Sequence, residues 1–321
     1  MLDSLYIRNF RLFKELTIER LGRVNLFVGK NNAGKTCLLE ALWIYAYDAD
    51  PHILKMIISE REEYWEQWAT WNNATEQPQL KPKLGTPPPQ PPIRFLFHGY
   101  QWTDEEQFIE IGPIQPIEAR IKIYPNTQFP KGKIDGLLPS WNRQFLSTRQ
   151  LDTQTVLDLW DNLVLTPEED LVIEGLQLVD SKIQKISVAR GSRVPIVVYE
   201  QQRIPLRNLG EGMTRVFLML LCLINARDGF LLIDEFENGL YWKVQPKLWA
   251  MIFQLAKTLN VQVFATTHSR DCVAGFHAAW ETQEEQGTFY RLNHRPNKGV
   301  VATPYHCETL ADTLEMDGEM R

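Results

Sequence analysis

No Cys-x-x-Cys pair occurs in this 321-residue chain, whose four cysteines, Cys37, Cys222, Cys272 and Cys307, lie far apart. No histidine cluster stands near them at zinc spacing, which argues against a zinc module and a disulfide framework. Reduced thiols are the expectation. Long apolar runs are also missing: the longest, residues 216–224, is too short to span a bilayer. The start "MLDSLYIRNF" has no basic segment followed by an apolar stretch, so no secretory leader is expected. Lysines and arginines never gather into a run of five, and the net charge is −6. That balance excludes a protein whose whole surface binds nucleic acid, although it leaves room for a local basic groove. These absences predict a soluble, cytoplasmic protein with no membrane partner.

What is present is ordinary for a globular chain, with 44% hydrophobic and 23% charged residues. "LDSLYIRNFRLFKELTIERL" predicts two short strands joined by a turn, and "RVNLFVG" a buried strand entering a loop. "KTCLLEALWIYAY" has helical spacing. "SEREEYWEQWATW" predicts a helix, and "EQPQLKPKLGTPPPQPP" holds seven of the 19 prolines, which predicts a polyproline-like or disordered surface segment. "IRFLFHG", "QFIEIG" and "IEARIKIYP" alternate as antiparallel strands do, whereas residues 126–150 show no clear period. Thr166 is the expected N-cap of a helix, with Pro167 at its first position and acids in the first turn. "VPIVVYE" predicts another strand. "GFLLIDE", a helix over residues 243–260, and "VQVFATTHS" predict parallel strands covered by helices.

"GKNNAGKT" sets Gly29 four residues before Gly34, Lys35 and Thr36, between a buried strand and an amphipathic helix. In such a loop the glycines let the backbone wrap a phosphate, with Asn31 and Asn32 in the curve. Lys35 reaches the β- and γ-phosphates, and the Thr36 hydroxyl ligates Mg²⁺. "GFLLIDE" places Asp234 and Glu235 at the end of an apolar strand, where both can reach the carboxyl edge of the sheet. Asp234 suits the outer shell of Mg²⁺, behind its direct ligands, and Glu235 suits a general base for the attacking water. "VFATTHS" ends a second buried strand at His268, a residue that alone is more often structural than catalytic.

A second glycine-marked helix start lies at Leu209, Gly210, Glu211 and Gly212, in "IPLRNLGEGMTRVFLML". It too offers free N–H groups to an anion. The order of residues 29–36, "LGEGMTR", "LLIDE", "ENGL" and "TTHS" resembles the ATP-binding-cassette ATPases. Within them it is similar to the branch of chromosome-maintenance (SMC) and overcoming-lysogenization-defect (OLD) ATPases. The resemblance covers residues 1–45 and about 155–321 well. It implies an α/β fold: an ATPase head with a P-loop parallel-sheet core, an N-terminal antiparallel β subdomain and a helical signature lobe. It also implies ATP and Mg²⁺ as cofactors, an ATP-dependent homodimer, and a signature loop that caps the γ-phosphate of a second protomer. Arg215 matches an arginine common in the OLD-like branch and is grouped with that trans signature. Asn238 and Gly239 correspond to the loop joining the two sites, or to an ordinary Asn-Gly turn. Gly210 replaces the usual serine and so loses one hydroxyl donor.

For the adenine, the "NFRLF" turn suggests Arg11 or Phe13, with a plain turn and core phenylalanine equally open. The glutamine that usually follows the next strand is unplaced, with Gln101 and Gln107 both near "FLFHGY". Residues 46–154 read as an insertion. Tyr64, Trp65, Trp68 and Trp71 fall near helical spacing there: a packing face, a base-stacking platform or a partner ridge. The stretch is too short for coiled-coil arms. No nuclease-type acidic motif follows the ATPase motifs, so an associated TOPRIM-like nuclease would be a separate polypeptide, and DNA is a possible ligand. The expected role is an ATPase that gates an effector in anti-phage defence or DNA metabolism. A transporter-energising subunit and a non-hydrolysing nucleotide switch are the alternatives.

Overall fold

The computed structural model describes residues 1–63, 70–72, 77–79, 92–101, 106–127, 142–148, 151–188, 194–296 and 298–315. An antiparallel pair, β1 (Leu5–Phe10) and β2 (Phe13–Ile18), precedes the fully buried β3 (Val24–Val28). Helices α1 (Lys35–Ala46) and α2 (Pro51–Glu60) come next, then the hairpin β4 (Thr70–Asn72) and β5 (Gln77–Gln79). Strands β6 (Ile109–Gly112), β7 (Ile121–Ile123) and β8 (Arg143–Leu146) lead to α3 (Thr153–Asp161) and α4 (Glu168–Gln177). A meander of β9 (Ile183–Val188), β10 (Pro195–Tyr199) and β11 (Gln202–Pro205) precedes α5 (Glu211–Asn225). β12 (Phe230–Ile233), α6 (Gln245–Thr258), β13 (Gln262–Thr267) and α7 (Arg270–Trp280) follow. The hairpin β14 (Gly287–Arg295) and β15 (Gly299–Tyr305) leads to α8 (Cys307–Glu315).

The central six-stranded sheet has the order β15-β14-β3-β13-β12-β8, all parallel except the edge strand β15. Its strands β3, β12 and β13 are mostly apolar because both faces are covered, and the buried polar side chains Asn25, Gln262, Thr266 and Thr267 are hydrogen-bonded. Val24, Leu26, Leu231, Ile233, Val263 and Ala265 join the cluster formed with α5, α6 and α7. Phe27, Leu232 and Phe264, one residue out of phase, join the cluster of α1, α2 and the N-terminal strands. Those N-terminal strands form an antiparallel sheet in the order β2-β1-β6-β7. In α5 every residue from Val216 to Ile224 is buried, as in a helix surrounded by protein. All four cysteines are free and buried. Among the described residues no helix is long and apolar enough to cross a membrane.

Several expectations need correcting. Residues 46–154 do not sit as one inserted unit: β6 and β7 complete the N-terminal sheet, and β8 forms an edge of the central sheet. "IRFLFHG" forms two 3-10 turns instead of a strand. Its buried Ile93, Leu96 and Phe97 are spaced by three and four residues, which suits a helical turn better than alternation. α2 ends at Glu60, where the aromatic helix was expected to begin, and Trp71 lies in β4. Tyr64, Trp65 and Trp68, like most of the proline-rich segment, lie outside the described residues. α4 starts one residue late, with Pro167 at the N-cap, while the Thr166 hydroxyl donates to the Leu163 carbonyl at 2.7 Å.

Candidate nucleotide site

The phosphate loop runs from the end of β3 into the first turn of α1. It turns through Asn32 at φ 62° and Gly34 at φ 99°, where a Cβ would also stand 3.1 Å from the Phe13 ring. Lys35 folds back on the loop, its Nζ donating to the carbonyls of Gly29 at 2.7 Å and Lys30 at 3.2 Å. Burial pushes its pKa below the ordinary lysine value, while the charges of Asp234, Glu235 and Glu237 pull the other way. The Thr36 hydroxyl donates to Asp234 Oδ2 at 3.0 Å.

β13 lies between β3 and β12, so its end stands between the phosphate loop and the carboxylates. Thr266, fully buried there, donates its hydroxyl to Asp234 Oδ1 at 2.5 Å and accepts the Glu235 N–H at 3.0 Å. Glu235 itself is left-handed, at φ 48°. The next residue, Phe236, stacks on Trp249 with centroids 3.8 Å apart and planes at 11°, which anchors the chain as it leaves the strand. Glu237 then takes three contacts from the end of β13: the Thr267 hydroxyl at 2.6 Å, the His268 N–H at 3.0 Å and His268 Nδ1 at 3.1 Å.

A cleft of about 560 Å³ opens over this edge, bringing together Asn31, Asn32, Gly34, Lys35, Thr36, Asp234 and Glu235. The donor set fits Mg²⁺. Thr36 and Asp234 offer adjacent oxygens, and no group of three or more His, Cys, Asp or Glu able to hold a metal occurs among the described residues. Mg²⁺ bound with a nucleotide uses few protein ligands, since phosphates and water complete its shell. Leu12, Glu40, Glu60 and Arg61 line the cleft as well, and Phe145, Ser147 and Thr148, at the end of β8, form another part of its wall.

The residues grouped with the signature divide. Leu209 closes a 3-10 turn, and Gly210 caps α5 with no side-chain cap. At Gly212 a Cβ would come within 2.4 Å of the Gly239 carbonyl oxygen, so the helix start and the Asn238–Gly239 turn pack closely within one chain. None of Leu209, Gly210, Glu211, Gly212, Asn238, Gly239 or His268 is among the residues lining the cleft. Arg215 does not face outward towards a second protomer. It is buried, and its guanidinium donates to the Ser147, Asp234 and Glu235 carbonyls of its own chain.

The adenine candidates are also turned inward. Arg11 pairs with Glu40 at 2.8 Å and with Glu63 at 2.7 Å, and its side chain is 4% exposed. At that exposure the guanidinium has no open face for a base. Phe13 is fully buried beneath Gly34, and the turn residue that lines the cleft is Leu12. Neither Gln101 nor Gln107 reaches the cleft lining. Sequence reasoning missed Thr266, Glu237 and the β8 end. The first two stand inside the motifs "TTHS" and "ENGL", so a signal existed, whereas β8 left none.

The AAA_15 family, an AAA ATPase domain, matches residues 1–70 and 134–273, more than half of the chain. A Helicobacter pylori protein described as an ATP/GTP phosphatase is 23% identical over 323 residues, covering 85% of this chain and 86% of that protein. A shorter match, 46% identical over 46 residues, links 14% of the chain to 12% of the DNA replication and repair protein RecF of Clostridioides difficile. In fold, the SMC head domain from Thermotoga maritima superposes with a TM-score of 0.50 at 10% identity, covering 95% of this chain and 99% of that one. An SmcHead solved bound to the C-winged helix domain of ScpA gives 0.56 at 9% identity, covering 97% and 99%. The fold is that of an SMC head, and the chain belongs to the AAA_15 family of AAA ATPase domains.

Proposed function

We propose that this ATPase head binds ATP with Mg²⁺, dimerises on it and hydrolyses it at two composite sites. The observation that carries the reading is the placement of Gly210, Glu211 and Gly212. They form an uncapped helix start, packed on the Asn238–Gly239 turn and outside the cleft of their own chain. Such a start presents N–H groups and the positive end of a helix dipole, which suits the γ-phosphate held by a second copy.

Within each cleft, Lys35 would clamp the β- and γ-phosphates, and Thr36 with Asp234 would hold Mg²⁺, which supplies charge neutralisation on the phosphates. The Glu235 carboxylate is the group to accept a proton from the attacking water. His268 is set by Glu237. A carboxylate only accepts, so Nδ1 carries the hydrogen of that contact.

The same reading gives the ATPase a separate effector, a TOPRIM-like nuclease, in anti-phage defence or DNA metabolism, with DNA as a possible ligand. What supports the DNA side is the likeness to SMC heads and the short match to RecF. Mixing inactive Lys35→Ala with inactive Gly212→Asp tests the trans arrangement. Some mixed dimers then hold one site with both parts intact, and crosslinking should report their closure on ATP. Mixed dimers that never close would count against it.

A further inference from the structure

Arg215 is the charged member of the signature stretch whose side chain turns into its own protomer. It stands in the first turns of α5, in "EGMTR", with 8% of its surface exposed. Nη1 donates to the Ser147 carbonyl at 2.9 Å, and Nη2 donates to the carbonyls of Asp234 at 2.7 Å and Glu235 at 3.2 Å. One planar fork thus joins the signature helix to the ends of β8 and β12, the two strands that carry a cleft wall and the carboxylates. A buried guanidinium is costly unless its donors are used; here three backbone oxygens take bonds from Nη1 and Nη2, while Nε is buried with no partner among the described residues.

Glu235 needs such a hold. Its φ of 48° lies in the left-handed region, which an L-residue keeps only when its surroundings impose it. The Thr266 hydroxyl grips its N–H at 3.0 Å, and Arg215 grips its carbonyl. The peptide planes on both sides of the Cα are therefore fixed, and with them the direction in which the carboxylate leaves the backbone. Gly212 packs on Gly239 at the same helix start, so α5 cannot shift without moving the strand end and the turn after it.

We propose that Arg215 is a positioning residue that aims Glu235 and ties it to the signature helix of its own chain. Engagement of that helix with a partner's nucleotide is thereby transmitted to this protomer's own carboxylate, which couples the two sites of a dimer. The transmission rests on the composite-site reading above; the aiming of Glu235 does not.

The test compares Arg215→Gln and Arg215→Lys with the wild type, measuring binding of a fluorescent ATP analogue, kcat per nucleotide-binding site, KM and the Hill coefficient for ATP. Affinity should stay within about twofold, because the phosphate loop is untouched, while kcat per site falls about 100-fold for the glutamine variant, as for a misplaced catalytic group. Lysine keeps the charge but not the fork, so it should recover about tenfold of kcat and leave the Hill coefficient near one. A merely structural role would reduce the number of binding sites and leave kcat per site and the cooperativity alone. Wild-type kcat per site in Arg215→Lys, with wild-type cooperativity, overturns the proposal. Should neither variant bind nucleotide, the wild type still decides: non-cooperative hydrolysis by a protein that dimerises on ATP overturns the transmission. A kcat loss at intact affinity in the variants, together with a wild type that stays monomeric with ATP, overturns the transmission and supports the aiming of Glu235.

Discussion

Thr266→Val removes one hydroxyl and keeps the shape of a fully buried side chain. That hydroxyl makes two bonds, a donation to Asp234 Oδ1 at 2.5 Å and an acceptance from the Glu235 N–H at 3.0 Å. Losing the bond to a charged carboxylate costs about 1.5–3 kcal/mol and the neutral one about 0.5–1.5 kcal/mol, so about 2–4.5 kcal/mol is at stake. In a chain of this size that lowers the melting temperature by a few degrees. The activity loss should be larger than such destabilisation explains. Asp234 then keeps only the Thr36 contact, and Glu235 is held at its carbonyl alone. Thr266→Ser keeps the hydroxyl and loses a methyl group, about 0.8 kcal/mol, so it should retain most of the rate. Thermal melting and phosphate release from MgATP, on the three proteins side by side, read both effects. A valine variant with wild-type kcat would refute the role given to this hydroxyl.

Lys35→Ala should abolish nucleotide binding by removing the main cationic clamp, whereas Thr36→Ala should bind and turn over poorly with Mg²⁺; equilibrium binding and phosphate release separate them. Burial lowers the pKa of Lys35 below 10.5, and bound phosphates would restore it. Affinity should therefore be full below the lowered value and decline as pH rises through it, with protons taken up on binding in that window. Calorimetry in buffers of different ionisation enthalpy would reveal that uptake, and binding without it at alkaline pH contradicts the reading. Glu237→Gln should lower kcat while sparing nucleotide affinity, because His268 loses the carboxylate that holds Nδ1. Unchanged kcat would assign Glu237 to the turn alone. The purified protein should hydrolyse ATP and leave plasmid DNA intact in Mg²⁺ or Mn²⁺; nicking that disappears with Glu235→Gln would place the nuclease in this chain.

What the sequence made readable was backbone chemistry. A loop that must pass through φ 99° at Gly34 asks for glycine, and a strand buried on both faces asks for apolar residues, as in β12, so both leave plain marks. Residues whose meaning depends on what arrives from elsewhere were not readable. Arg11 looks like a turn cation until Glu40 and Glu63 close on it. Arg215 looks like a surface arginine on a signature helix, and only the packing of β8 and β12 against α5 turns it inward. β8 is four residues long with only Leu146 fully buried, too little for any period to register. Its contribution to the cleft follows from its parallel pairing beside β12, a long-range choice.

The central claim is that two copies close on ATP, and Glu235→Gln tests it most directly. The substitution removes the proton acceptor while keeping the shape of the side chain and the backbone bonds to Thr266 and Arg215. With saturating ATP and Mg²⁺ the variant should hydrolyse little, and light scattering should show a stable dimer that separates when nucleotide is removed. A Glu235→Gln protein that binds ATP and remains monomeric at saturation would contradict the composite-site account.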